Sequence, residues 1–224
     1  METPPSPSTA ELMRIYELLL ARFGPLHWWP GESPFEVMIG AILTQNTAWS
    51  NVVKAIANLK AAGLLDAEAL LRADLRKLKR LIRPSGYFNQ KAIKLRAYVR
   101  FFTREFGGSV ERMAAVDTAE LREKLLAVKG IGPETADSIL LYALDKPVFV
   151  VDAYTRRAFS RLGFLPRDVD YDATREFFVS RLPVDVSLYN EYHAQIVYLG
   201  KDYCRTKPRC AECPLSVLGR CKID

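Results

Sequence analysis

Apolar residues recur at intervals of three and four along nearly the whole 224-residue chain, which is the spacing of an amphipathic α-helix. Segments such as ELMRIYELLLARF and QKAIKLRAYVRFFTREF carry the pattern, and glycine or proline interrupts it. Ser8 with Glu11 predicts a capping box at the first helix. The β-like run PVFVV is too short to form a sheet, and no second β-like run accompanies it in the sequence. The sequence therefore predicts an all-α fold.

Charge and hydropathy narrow the class of partner. The net charge of +6 and the pI near 9.1 favour a polyanion weakly. Residues 72–100 hold ten Lys or Arg and a single acid, Asp74, which fits either a phosphate-neutralising stripe or a solvated helix face. No apolar run approaches the roughly 20 residues that span a bilayer. METPPSPSTA lacks the pattern of a signal peptide and predicts a short disordered lead-in. We therefore expect a soluble, cytoplasmic monomer that binds no membrane.

A glycine hairpin followed by a helix is the strongest local motif. Glycine tolerates positive φ and allows a ligand to approach the backbone closely, and Pro133 suits the first turn of a helix. Free amides and the positive end of the helix dipole would then form an anion site. On a basic chain, a nucleic-acid phosphate is the expected anion. The predicted phosphate-binding residues are Lys129, Gly130, Ile131 and Gly132.

Residues 128–157, VKGIGPETADSILLYALDKPVFVVDAYTRR, resemble the helix-hairpin-helix and Gly/Pro…Asp (HhH-GPD) signature of the endonuclease III superfamily of DNA glycosylases. The resemblance implies that the hairpin holds double-stranded DNA containing a damaged base. It also implies a two-domain fold with the DNA in the groove between the domains. Residues 26–146 would form a helical barrel, residues 147–224 a second domain, and residues 1–25 would pack with the second domain.

Asp152 is the implied catalytic residue, acting at the sugar of a flipped-out base. Its sequence position also suits an N-cap for the helix AYTRRAF, and the two roles are compatible. The lyase branch of the superfamily carries a Schiff-base lysine where this chain has Glu134. A carboxylate cannot form an imine. The resemblance therefore implies hydrolysis of the N-glycosidic bond and no strand cleavage.

Three tryptophans lie close together near the N-terminus: Trp28, Trp29 and Trp49. Any one of them could simply fill the core, but an extruded base is held between aromatic faces, and a cationic alkylated purine gains cation–π attraction there. WWP, LTQNTAW and GYFNQKA are similar to the 3-methyladenine DNA glycosylase III branch. That resemblance implies that the tryptophans line a base pocket and that Gln45 enters the duplex. Gln45 could otherwise be a polar residue that ends a helix.

Four cysteines lie within the last 21 residues with the spacing C-x5-C-x2-C-x7-C: Cys204, Cys210, Cys213 and Cys221. Clustered cysteines in an intracellular chain are typically metal ligands, and these could enclose zinc or an iron–sulfur cluster. The superfamily resemblance favours [4Fe–4S], although its common spacing is C-x6-C-x2-C-x5-C. Four basic residues near the cysteines could be presented to phosphates: Arg205, Lys207, Arg209 and Arg220.

The expected function is therefore that of a monofunctional DNA glycosylase that removes alkylated purines such as 3-methyladenine. One alternative is an endonuclease III-like glycosylase and lyase that acts on oxidised pyrimidines through another amine. A second alternative, from a different class, is a non-catalytic helix-hairpin-helix protein that binds damaged DNA.

Overall fold

The computed structural model describes residues 7–222, and the regular elements in that part of the chain are all helical. The predicted all-α fold is confirmed. The first six residues of the expected lead-in lie outside the described part, and the first helix, α1 (Thr9–Phe23), begins soon after it. Ser8 and Glu11 form the predicted capping box at that helix. No helix among residues 7–222 is long and apolar enough to cross a membrane.

The chain divides into two compact units. The first combines the N-terminal segment up to Trp28 with the chain from Pro147 onward, and the second spans Trp29–Lys146. The second unit contains eight α-helices: α2 (Pro34–Leu43), α3 (Trp49–Ala61), α4 (Ala67–Arg72), α5 (Leu75–Leu81), α6 (Phe88–Phe106), α7 (Val110–Ala114), α8 (Thr118–Leu126) and α9 (Pro133–Leu144).

Two apolar helices form the core of the second unit. Helix α2 buries every residue from Val37 to Leu43, and α9 buries every residue from Thr135 to Leu144. These two helices pack against each other. A helix that is apolar nearly all round must be enclosed by others, so the hairpin that precedes α9 is attached to a rigid core.

The first unit contains α1 and three C-terminal helices: α10 (Ala153–Arg161), α11 (Tyr171–Val179) and α12 (Val186–Asp202). Helix α12 packs against both α1 and α10. Stacked aromatic rings fill the space among the C-terminal helices, with Phe149 and Phe178 centred 4.1 Å apart. The Tyr192 hydroxyl donates to the Leu12 carbonyl at 2.8 Å and ties α12 to α1. These contacts fix α10 and α12 relative to each other within the unit.

Candidate functional site

The hairpin before α9 has the backbone that the sequence predicts. Gly130 has a φ of +90°, and the Ile131 amide donates to the Val128 carbonyl at 3.0 Å. Helix α9 begins after Gly132 with proline in its first turn and has no side-chain hydrogen bond at its N-cap. Nine other helices of the described chain begin with a serine or aspartate side chain that accepts such a bond. The start of α9 thus has no carboxylate or hydroxyl cap of its own.

Gln45 lies against this hairpin in the second unit. Its Nε2 donates to the Gly130 carbonyl at 3.2 Å and to Thr135 Oγ1 at 2.9 Å. Its Oε1 accepts from Lys94 Nζ at 2.5 Å. The Lys94 stem also packs on Gly130, because a Cβ added to that glycine would lie 2.4 Å from Lys94 Cγ. One lysine therefore contacts both the predicted intercalating residue and the hairpin.

Lys91 is a buried lysine that bonds to main-chain carbonyls, one of which lies two residues before Gln45. Its side chain is 2% exposed, and Nζ donates to the carbonyls of Leu43 and Ser85 at 2.8 and 2.6 Å. Burial, together with the nearby charge of Lys94, lowers the pKa of Lys91 to about 8. Neither interpretation of residues 72–100, as a phosphate-neutralising stripe or as a solvated helix face, applies to Lys91, since its amine donates to main-chain carbonyls and does not face solvent.

Two of the three tryptophans meet in the second unit. The rings of Trp29 and Trp49 are edge-to-face, with centroids 4.9 Å apart, and Tyr142 from α9 lies 5.1 Å from Trp29. Trp29 contacts both of the other rings, and Trp29 and Trp49 remain partly exposed. Aromatic faces with some solvent access are what a flat ligand requires.

Trp28 belongs to the first unit and contacts other residues there. Its ring lies edge-on to Tyr198 at 6.4 Å, and the Lys201 ammonium lies 5.6 Å from its centroid. The same ammonium is 5.5 Å from the Tyr198 ring. Lys201 thus forms cation–π contacts with both rings.

Asp152 caps α10, as its sequence position allows. Its Oδ1 accepts from the Thr155 amide at 2.7 Å and from Thr155 Oγ1 at 2.8 Å. Its Oδ2 lies 3.7 Å from His193 Nε2, and both side chains are almost buried. Burial lowers the pKa of His193, and the Asp152 charge partly opposes that shift. The carboxylate is therefore held at one oxygen and faces an imidazole with the other.

Glu134 is exposed on the first turn of α9. The lysines that lie near Glu134 in sequence do not occupy its position on the first turn of α9. Lys129 is exposed within the hairpin itself, and Lys146 Nζ donates to the Val116 carbonyl at 2.7 Å. Lys91 has the lowered pKa that suits an amine nucleophile, but its amine is buried and donates hydrogen bonds to two main-chain carbonyls.

A basic cleft of about 840 Å3 opens on the first unit. Its lining residues are Tyr154, Arg157, Gly200, Lys201, Arg205, Thr206 and Lys207. Arg205 and Lys207 are two of the four cations expected to face phosphates. The other two are paired within the unit: Arg209 with Glu212 at 2.6 Å and Arg220 with Glu11 at 2.9 Å. Two of the four loop cations therefore line the cleft, and the other two form ion pairs with acidic side chains.

The four cysteines follow α12 in one short segment. Burial raises the pKa of Cys213, and the neighbouring thiols of Cys204 and Cys210 add to the shift. The same causes raise the pKa of Cys221 to about 11. No three His, Cys, Asp or Glu side chains among residues 7–222 converge as ligands of a single metal ion. The pKa shifts of Cys213 and Cys221 show that the four thiols lie close enough to influence one another electrostatically.

Sequence reasoning missed three of these contacts. The sequence alone gives no reason to single out His193 or Tyr142, and it shows Lys94 only as one of the ten cations of residues 72–100. Each contacts its partner over 40 or more positions in the sequence. Only the motif GYFNQKA, which begins eight residues before Lys94, gave a signal for any of them.

Comparison with known proteins identifies the family. Residues 39–183 match the family model described as HhH-GPD superfamily base excision DNA repair protein. A Methanocaldococcus jannaschii protein described as "Putative DNA repair glycosylase" is 50% identical over 206 residues, covering 91% of this chain and 93% of its own length.

Two solved structures have the same fold. A Helicobacter pylori 3-methyladenine DNA glycosylase bound to 1,N6-ethenoadenine is 32% identical, with a TM-score of 0.76 over 87% of this chain and 98% of that one. A non-covalent endonuclease III–DNA complex is 21% identical, with a TM-score of 0.81 over 96% of both chains, which speaks to the fold alone. The chain therefore belongs to the HhH-GPD superfamily of base excision DNA repair proteins, as a DNA repair glycosylase.

Proposed function

We propose that the protein is a monofunctional DNA glycosylase that hydrolyses the N-glycosidic bond of alkylated purines of the 3-methyladenine type. The observation that carries the proposal is Glu134, exposed on the first turn of α9 where the lyase branch has its lysine. Without an amine at that position, no nucleophile is available there to form an imine with the sugar. The reaction then ends at an abasic site with the strand intact.

Asp152 is the proposed catalytic residue. Departure of the base leaves an oxocarbenium-like sugar, and a nearby carboxylate stabilises that positive charge and orients water. Thr155 fixes one oxygen of Asp152 through two hydrogen bonds. A preorganised carboxylate loses little free energy by reorganising as the charge develops. This arrangement supports a role that needs an ionised acid and no further nucleophile.

Partly exposed aromatic rings support the choice of an alkylated purine. Trp29 and Trp49 are the proposed pocket residues of the second unit, and Tyr142 packs with them. Trp28 is the proposed pocket residue of the first unit. Each cation–π contact with a positively charged base contributes about 0.5–2 kcal/mol. Such a base also leaves readily because departure neutralises it. The 32% identical H. pylori relative is named for 3-methyladenine and was solved with an ethenoadenine.

DNA binding is proposed for the hairpin, for Gln45 and for the basic cleft. The hairpin residues Lys129, Gly130, Ile131 and Gly132 would hold one phosphate at the start of α9. Because the Ile131 amide already donates to the Val128 carbonyl, the contact would fall to the other groups of the hairpin. Gln45 would enter the duplex after its bonds to the hairpin are released. The cleft around Lys201 and Arg205 would neutralise further phosphates, which makes binding depend on salt.

The test is base release from a panel of alkylated and oxidised DNA, measured by mass spectrometry, with Asp152→Asn beside the wild-type protein. Asparagine is also a good N-cap, so this variant removes charge while keeping α10. Asp170→Asn is the matched control, because Asp170 caps α11 in the same way. We expect wild type and Asp170→Asn to release 3-methyladenine, and Asp152→Asn to bind DNA and release nothing.

The other outcomes identify the alternatives. Release of oxidised pyrimidines with strand cleavage would make the protein an endonuclease III-like lyase. Binding to abasic-site analogues with no base released from any lesion would make it a non-catalytic damage-binding protein. Release of 3-methyladenine by Asp152→Asn at the wild-type rate would remove Asp152 from the chemistry.

We also propose that Cys204, Cys210, Cys213 and Cys221 hold a [4Fe–4S] cluster, with zinc as the alternative. When bound, the cluster would join the end of α12 to the C-terminal loop as a structural crosslink. We expect anaerobically purified protein to be brown, with a broad visible absorbance band and about four irons per chain. Cys213→Ala should lose both the colour and the iron. One zinc per colourless chain would contradict the proposal.

A further inference from the structure

The two oxygens of Asp152 have different surroundings within the first unit. Oδ1 belongs to the α10 cap through Thr155. Oδ2 lies 3.7 Å from Nε2 of His193, whose side chain is 7% exposed. The mechanism proposed above uses the carboxylate but gives no role to this histidine. A buried polar ring placed against the reacting acid requires a physical account.

Helix α12 gives His193 a fixed position. Its neighbour Tyr192 is fully buried and bonded to the Leu12 carbonyl. Gln195, also fully buried, donates to the Gly24 carbonyl at 2.7 Å. Because these bonds tie α12 to the N-terminal segment on both sides of His193, the imidazole cannot follow Asp152 if the acid moves. The imidazole ring is therefore held in place, and the Asp152 carboxylate can be oriented against it.

The imidazole is held in its neutral form. Burial lowers the pKa of His193 below its usual 6.5, and the attraction of Asp152 only partly restores it. A neutral ring leaves the full negative charge on Asp152, whereas an imidazolium would cancel it. A neutral imidazole can still donate one N–H, and hydrogen bonds of catalytic groups are often long before substrate binds.

We propose that His193 is a positioning residue that acts through Asp152: it directs Oδ2 with a neutral N–H and leaves the carboxylate charge available to the sugar. This inference rests on the proposed function of Asp152. The competing account is that His193 only fills the core between α10 and α12. The two accounts predict different rates of base release for a His193 variant that folds and binds DNA like the wild-type protein.

Three variants separate these accounts. His193→Gln keeps a neutral N–H donor close to the position of Nε2. His193→Leu keeps much of the volume and removes the donor. Gln195→Leu is the control on the same helix, since Gln195 bonds Gly24 and Glu191 and not Asp152. Each variant is compared in three measurements: the single-turnover rate of base release, the affinity for a duplex with a tetrahydrofuran abasic analogue, and the melting temperature.

We expect the single-turnover rate of base release to fall by at least about tenfold in His193→Leu. Its affinity for the abasic-analogue duplex should stay within about twofold of the wild-type value. His193→Gln should stay within about threefold of the wild-type rate. Gln195→Leu should lower the melting temperature without a selective loss of rate. If His193→Leu does not fold, His193→Asn replaces it, because its shorter amide withdraws the donor from Oδ2 and should reproduce the selective loss.

A wild-type rate in His193→Leu, or in its asparagine substitute, would overturn the inference. So would a loss of rate that parallels losses of affinity and melting temperature and that glutamine does not rescue. The substrate is whichever lesion of the panel the wild-type protein excises. If it excises none, or if Asp152→Asn is fully active, the proposed function fails first. If Asp152→Asn is inactive and the leucine variant is fully active, only the role of His193 fails.

Discussion

Helices α9 and α10 begin within 20 residues of each other, in different units, and their N-termini have opposite character. Helix α9 starts with glycine and proline and has no side-chain cap. Helix α10 starts with Asp152, which supplies its own anion. Both ends carry the positive pole of a helix dipole. In the proposed function, the first leaves that pole for an external phosphate, and the second uses it to position the Asp152 carboxylate.

This difference connects local sequence to function. A helix that begins at glycine without a side-chain cap loses only about a few tenths of a kcal/mol relative to a serine or aspartate cap, whereas a buried aspartate requires partners. Ser or Asp at an exposed position caps most other helices of the described chain, although α3 and α6 also begin without such a cap. The glycine start of α9 and the buried aspartate start of α10 both fall within the stretch that resembles the superfamily signature, which is where the proposed function needs them.

The largest expected effects on the α9 side come from two glycine substitutions. In Gly130→Ala, a φ of +90° and a Cβ 2.4 Å from Lys94 Cγ should lower the free energy of unfolding by about 1–3 kcal/mol. Binding to undamaged duplex should fall by about tenfold or more. Gly132→Ala has an ordinary φ and open space. It should keep the free energy of unfolding within about 1 kcal/mol but still weaken DNA binding, because its Cβ obstructs the approach of the phosphate.

Chemical denaturation and fluorescence anisotropy measure the two quantities separately. If Gly132→Ala bound DNA as tightly as the wild-type protein, the phosphate would not approach the start of α9. The contrast between the two helix starts would then lose its functional meaning.

A smaller effect is expected where Lys94 joins Gln45 to the hairpin. Lys94→Met keeps the stem against Gly130 and removes the hydrogen bond to Gln45 Oε1. Because a charge-assisted hydrogen bond of about 1.5–3 kcal/mol no longer has to be broken, Gln45 should enter the duplex more easily. We expect the preference for an abasic-analogue duplex over undamaged duplex to rise by a few-fold, about 1 kcal/mol.

Gln45→Ala is the control and should lower that preference, while anisotropy titrations on both duplexes give the ratio. An unchanged ratio in Lys94→Met, with a lowered ratio in Gln45→Ala, would mean that the docked Gln45 does not oppose insertion. An unchanged ratio in both would remove Gln45 from the intercalating role.

Local patterns predicted the parts of the molecule that depend on neighbouring residues. The helices, the capping box at Ser8 and the cap at Asp152 follow from spacing and from hydrogen bonds over three positions. The turn at Gly130 follows from backbone freedom. Each of these features needs only a short window of sequence.

Contacts across the fold were not predictable in this way. His193 reaches Asp152, and Lys94 reaches Gln45, only because helices distant in sequence pack together. The basic stretch containing Lys91 has the composition of a solvated face, yet packing against α2 buries that one amine and lowers its pKa. Tertiary packing therefore decides which charges meet DNA and which hold the protein together.

The central claim is that this glycosylase releases a base and leaves the strand uncut. The most direct measurement compares free 3-methyladenine with strand breaks after the wild-type protein acts on methylated duplex DNA, before any alkaline treatment. The account predicts released 3-methyladenine with full-length strands and no borohydride-trapped protein–DNA adduct. One strand break for each base released, together with a trapped adduct, would contradict it.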